Sequence, residues 1–171
     1  MASSATLTSS EPVSSGGNWL LWANILALAV PAALLLGAYG SELLGGLYPC
    51  EMCWWQRYAH LAALPFALLA FALSDRRRTL VLLAALAIAT SGAIGGYHAG
   101  VELGIFEGIT TCTSAAIGGT PDELLKAILA APLIRCDQVQ WALLGISMAG
   151  WNAILSLSTA GVIAWLSLKR R

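Results

Sequence analysis

The sequence predicts an all-α membrane protein: a four-transmembrane-helix bundle with a short amphipathic surface helix in its second outer loop. Three observations predict it. Hydrophobic residues fill 58% of the 171 positions and charged residues 11%, against roughly 45–50% and about 25% in ordinary soluble domains. The charges are clustered, which leaves four long uncharged intervals. Those intervals are rich in Ala and Leu rather than in alternating β-branched residues, so of the two structures lipid permits, the helix fits and the closed barrel does not. A soluble globule of this length could not hide so much apolar surface, and a disordered chain would be polar. Nine basic and nine acidic residues cancel, so no positive field points to nucleic acid. The partner that the composition demands is a lipid bilayer.

Each element follows from the intervals, because a charge at the centre of a membrane helix costs about 2.5–3.5 kcal/mol. Residues 1–18 hold eight Ser or Thr and no Lys or Arg, and read as a flexible cytoplasmic tail before a transmembrane domain over 19–171. The tail lacks the basic start of a secretory signal, so the first span is expected to stay as an anchor. Thirty uncharged residues between Glu11 and Glu42 place that span at Trp19–Tyr39, followed by an outer loop over about 40–53. Seventeen between Arg57 and Asp75 place the second at Trp54–Leu73; it begins before Arg57 because an Arg near a helix end reaches back to the interface. Pro31 and Pro65 fall inside these spans, where neighbouring helices can satisfy the freed carbonyls.

Twenty-three uncharged residues between Arg78 and Glu102 place the third span at Leu80–Ala99. Gly92, Gly96 and Gly100, with Gly95 beside them, give it a small-residue face for close packing. A second outer loop over about 100–140 follows. Within it, Thr120-Pro121-Asp122-Glu123 is a capping box with Pro at the first helical position. Leu124, Leu125, Ile128 and Leu129 continue at helical spacing, so a surface helix is expected to about Ala131. Thirty-one uncharged residues between Asp137 and Lys169 place the last span at Trp141–Leu168.

Basic residues orient the bundle. Arg76, Arg77 and Arg78 link spans two and three, and Lys169, Arg170 and Arg171 follow span four, so both clusters fall on one face, which is read as cytoplasmic. Aromatic residues gather at both interfaces, Trp54, Trp55 and Trp141 among those outside and Trp19, Trp22 and Trp165 inside.

All four cysteines then fall in the outer loops, in the kind of oxidising compartment where disulfides persist. Cys50 and Cys53 form a C-x-x-C, a spacing suited to thiol exchange. Arg57 lies four residues beyond Cys53 and His60 seven, so a helix would place all three on one face. A nearby cation and a helix N-terminus both favour the thiolate. Cys112 and Cys136 are far apart in sequence and would close a long loop. No metal is expected, because structural zinc takes two closely spaced ligand pairs. Static disulfides remain the plain alternative, with Arg57 and His98 as interfacial anchors and His60 as a packing residue.

The constellation resembles the DsbB family, the disulfide-bond formation proteins B of bacterial inner membranes. The resemblance covers nearly the whole chain after residue 18. It rests on four spans with both termini inside, on Pro49-Cys50-Glu51-Met52-Cys53-Trp54-Trp55-Gln56-Arg57 at the start of the second, on His98 closing the third, and on Cys112 and Cys136. Met52 stands where many members have Leu. The resemblance implies a protein-disulfide:quinone oxidoreductase, with ubiquinone or menaquinone as cofactor and a DsbA-like periplasmic thiol oxidase as partner. It implies a multi-pass protein of the bacterial inner membrane, with cytoplasmic termini and periplasmic cysteine loops. Cys112 would form the mixed disulfide with DsbA and Cys136 would be its partner. Cys50 would exchange with that pair, and Cys53 would meet the quinone ring, with Arg57 and His98 lining the quinone pocket. The resemblance gives His60 and the tail no role. Two other readings compete: a VKOR-like quinone–thiol reductase, whose C-x-x-C is expected late in the chain, and a membrane subunit braced by its disulfides.

Overall fold

A computed structural model describes residues 17–108, 134–169 and the single positions 120 and 122. Most of the tail, Cys112, all but two positions of the expected surface helix, and the terminal Arg170 and Arg171 lie outside the described residues. Among the described residues four long helices make the architecture: α1 (Gly17–Gly45), α2 (Glu51–Ala72), α3 (Arg77–Glu102) and α4 (Met148–Leu168). They run up and down in sequence order; α1 and α3 both pack against α2 and α4, and α1 also touches α3. Lys169 lies over the rings of Trp19 and Trp165. The start of α1 and the end of α4 therefore share one end of the bundle, and the start of α2 lies at the other.

Small residues let the helices approach closely. Ala23, Ala27, Ala63, Ala67 and Ala84 are fully buried, with Ile88 and Ile163 filling the wider layers. Several buried polar groups are tied across helices, as an unpaired one costs far more in an apolar interior than in water. The Asn24 amide, oriented with its nitrogen toward the Ala67 carbonyl, donates there at 3.0 Å and accepts from the Phe71 N–H at 3.3 Å. Both prolines lie within unbroken helices. Outward faces carry large apolar side chains, among them Trp22, Leu36, Leu68, Leu86 and Trp165. A soluble monomer rarely exposes so much apolar surface. Trp19–Gly45, Arg77–Glu102 and Met148–Leu168 are long and apolar enough to cross a membrane. The fourth helix, α2, is interrupted by Gln56, Arg57 and His60 in its first half.

Helix covers much of the loop expected over 40–53, since α1 runs on to Gly45 and α2 begins at Glu51, and the structure departs from the sequence expectation in two further places. The last helix begins at Met148, not Trp141. Residues before it form a small antiparallel hairpin, β1 (Ala142–Leu143) with β2 (Ile146–Ser147), pairing Ala142 with Ser147 and Leu143 with Ile146. Leu144 and Gly145 turn it with φ of 54° and 79°; positive φ at both central residues is what a tight hairpin turn requires. Ser147 then caps α4, its hydroxyl accepting from the Gly150 N–H at 3.1 Å. Charge spacing could not see this, because the hairpin is uncharged. The second departure is in the glycine face of α3. A Cβ on Gly92 would lie 2.8 Å from Leu157 Cγ, and one on Gly95 would lie 2.9 Å from the Ala149 carbonyl, so these two set the contact with α4. Gly96 is slack, its nearest neighbour being 3.9 Å away, and Gly100 accommodates the Phe106 ring from the following loop.

Candidate functional site

The C-x-x-C is built into the first turn of α2. Cys50 is the N-cap, with extended φ and ψ of −76° and 175°, and its sulfur accepts from the Cys53 N–H at 3.4 Å. A sulfur thus stands where Ser or Asp usually satisfies the free N–H groups of a helix start. The Cys50 thiol donates to Cys53 Sγ across 3.1 Å. Cys50 is 4% exposed and Cys53 half-buried. Both sulfurs precede the apolar stretch that begins at Trp54. The hydrogen bond to Cys53, with burial, pushes the Cys50 thiol up to about 12. The same bond, received by Cys53, brings Cys53 below the ordinary thiol value. Cys50 holds the shared proton and Cys53 is the readier thiolate.

One turn further along α2, Arg57 is 5% exposed. It donates to Glu42 Oε2 at 2.5 Å and to the Ala38 carbonyl at 3.0 Å, both on α1. The rings of Tyr39 and Trp54 lie 4.6 and 5.0 Å from its guanidinium carbon. A buried cation held by a carboxylate, a carbonyl and two π faces is fixed in place rather than extended to an interface.

His98, 3% exposed near the end of α3, places Nε2 3.6 Å from Cys50 Sγ and 3.8 Å from Glu102 Oε1. Among the described residues, Glu102 Oε2 is buried without a hydrogen-bond partner. Cys50 Sγ, Cys53 Sγ and the His98 ring lie within 4.8 Å of one another, close enough to hold a metal ion and equally suited to thiol exchange. Cys136 packs with Cys53 against the small cluster of Cys50, Met52 and Val101, and its backbone lies within interaction range of His98. Gln140 ties this loop to the first by donating to the Tyr48 carbonyl at 2.9 Å.

These groups open on a cavity of about 750 Å³ that Cys50, Cys53, Arg57 and His98 line on one side and Leu34, Gly37 and Ala38 of α1 on the other. Volumes of roughly 300–1,000 Å³, apolar with a few convergent polar groups, are usual for small-molecule sites. The structure therefore brings together Cys50, Cys53, Arg57, His98 and Cys136, while Cys112 lies outside the described residues. His60, given no role from sequence, also lines the cavity. Sequence reasoning passed over Glu42, Gln56, Ser91, Glu102 and Asn152. A signal existed for three of them: Gln56, Ser91 and Asn152 are polar residues inside apolar runs, where polar groups tend to be functional.

Comparison with known proteins identifies the family. The profile of the family described as "DsbB: Disulfide bond formation protein DsbB" matches residues 21–166. The chain is 30% identical over 141 residues to disulfide bond formation protein B of Marinobacter nauticus, covering 78% of this chain and 83% of that one. It is 30% identical over 149 residues to the protein of that name in Xylella fastidiosa, covering 81% and 85%. An uncharacterized protein of Rickettsia prowazekii is 24% identical over 137 residues, covering 78% and 80%. No solved structure matches the chain. A match spanning all four helices, on a bundle whose second helix begins with Cys50-Glu51-Met52-Cys53, leads to one conclusion: the chain belongs to the DsbB disulfide bond formation family.

Proposed function

We propose that this protein is a membrane protein-dithiol:quinone oxidoreductase that reoxidises a periplasmic DsbA-type thiol oxidase. The observation that carries the reading is a pair of sulfurs 3.1 Å apart at the edge of a largely apolar cavity that also holds a buried arginine. In this reading α2 from Trp54 onward is the fourth membrane span. The cysteine end of the bundle faces the periplasm of a bacterial inner membrane, and both termini face the cytoplasm. Lys169 and the Arg76–Arg78 cluster lie at the opposite end, as the bias of basic residues toward the cytoplasm requires.

The residues fit a quinone headgroup. The α1 wall is apolar, and the buried Arg57 offers a fixed positive charge and guanidinium N–H donors for a carbonyl oxygen. A bound quinone, ubiquinone or menaquinone, supplies an acceptor for two electrons and two protons. Arg57 holds positive charge where negative charge develops, which is how preorganised groups contribute most to catalysis. His98 would line the same pocket. Cys53, as the readier thiolate, is the sulfur that faces the acceptor. When Cys50 and Cys53 close to a disulfide they release two electrons and two protons. The Cys112–Cys136 dithiol would reopen that disulfide by exchange and become a disulfide itself. Cys112 would then take the DsbA thiolate in a mixed disulfide, and Cys136 would leave as the thiolate.

The test is quinone-dependent reoxidation of a reduced DsbA-type protein by the purified chain, with each cysteine replaced by Ser in turn. Loss of turnover in all four variants is expected. Full turnover without Cys50 or Cys53 would reduce the pair to a brace.

A further inference from the structure

Gln56, Asn152, His98 and His60 form one chain of hydrogen bonds, and two backbone carbonyls fix its direction. Carbonyls only accept. Asn152 Nδ2 lies 3.2 Å from the Ser91 carbonyl, which turns the nitrogen of that amide toward α3. The same nitrogen donates to Gln56 Oε1 at 2.8 Å. Gln56 is thereby held with Nε2 toward the Met52 carbonyl, 3.1 Å away, and its second hydrogen meets His98 Nδ1 at 3.1 Å. A nitrogen that receives a hydrogen must offer its lone pair, so the neutral His98 ring carries its own hydrogen on Nε2. At the other end Asn152 Oδ1 accepts from His60 Nε2 and from the Ser156 hydroxyl, each at 2.9 Å. The hydrogen of His60 is therefore also on Nε2, and its buried Nδ1 is unpartnered. Gly95 makes room for the chain. A Cβ there would lie 3.0 Å from Asn152 Nδ2 and 3.1 Å from Gln56 Oε1.

We infer that Gln56, itself oriented by Asn152, is a positioning residue that fixes the tautomer of His98, so that a hydrogen rather than a lone pair faces the Cys50 sulfur. Asn152 reaches this sulfur through two intermediaries and from a different helix. The purpose of the arrangement rests on the thiol relay proposed above: negative charge that exchange places on Cys50 meets a donor 3.6 Å away. His98 is then a donor to the sulfur and not the base that deprotonates it. Glu102 Oε1, 3.8 Å from the same nitrogen, competes for that hydrogen.

The chain has two histidines, so its tautomers can be read directly. The full-length protein, reduced, labelled with 15N-histidine and held in lipid nanodiscs, is expected to show both rings neutral with the hydrogen on Nε2. His60→Gln isolates the His98 signal. Gln56→Glu replaces the donor with an acceptor of the same shape, and His98 is expected to gain a hydrogen on Nδ1 while His60 keeps its signature. If that variant does not fold, Gln56→Leu is expected to give His98 as a mixture of tautomers. A hydrogen on His98 Nδ1 in the unmodified chain overturns the proposal, as does a His98 signal indifferent to both Gln56 variants. The measurement needs neither quinone nor partner. Failed reoxidation with these signatures intact tells against the relay alone, and the opposite tautomer in an active protein tells against the positioning role alone.

Discussion

Cys50 and Cys53 share one proton, and their environments decide which keeps it. The pH titration of the reduced site is expected to show two separate thiolate steps by ultraviolet absorbance. Cys53 ionises first, below the ordinary thiol value, because it receives the Cys50 hydrogen bond. Cys50 follows near 12. The thiolate of Cys53 therefore grows as pH rises through its lowered pKa, and its alkylation rate levels off above that point. Cys50→Ala removes the stabilising donor and should move the Cys53 step upward; a step that stays in place would contradict the shared-proton account. Arg57 makes a second prediction. Arg57→Ala should slow the quinone-linked half-reaction by on the order of 10²-fold, the usual loss when one preorganised group is removed. Exchange with the DsbA-type partner should change little, since Arg57 is buried against α1. Equal slowing of both half-reactions in stopped-flow measurements would argue against its placement beside the acceptor. The Arg57 side chain shows what spacing conveys and what it omits. Its helical register with Cys53 was legible, because a helix repeats every 3.6 residues. Its carboxylate partner Glu42 was not, because that contact joins two helices across a loop.

At the scale of elements, the contact between α3 and α4 is set by two glycines rather than by the evenly spaced row the sequence displays. Gly92→Val should destabilise the bundle by about 1–3 kcal/mol, the usual cost of overpacking a filled core, read as a lower unfolding temperature in detergent. Gly96→Ala should be nearly neutral, since its Cβ would meet nothing nearer than 3.9 Å. Reversal of that order would contradict the packing. All four long helices were legible from uncharged intervals because the cost of burying charge in lipid dominates their placement. The β1–β2 hairpin was not, since Leu144-Gly145 is a turn within an uncharged run. The α2 start was expected at Trp54 and lies at Glu51, because a cysteine sulfur caps the helix, which the uncharged interval does not convey.

For the whole molecule, the account requires that one end of a four-helix bundle serve both water and lipid. Cysteines reachable from the aqueous phase must lie on the face opposite Lys169. Membrane-impermeant maleimide added to intact spheroplasts should therefore label Cys136 in a reduced variant that keeps that cysteine alone. Labelling only after the membrane is broken would invert the orientation. The family and the overall helical class were legible from composition and one motif. The polar chain through Gln56 and Asn152 was not, because it depends on which faces of α2, α3 and α4 meet. If the two cysteine pairs form a relay emptied by quinone, thiol trapping in membranes depleted of quinone reads it out. Reduced Cys50 and Cys53 are expected to accumulate there, together with a mixed disulfide to a small soluble protein, and added quinone is expected to clear both. Cysteines that stay fully oxidised without quinone would contradict the relay.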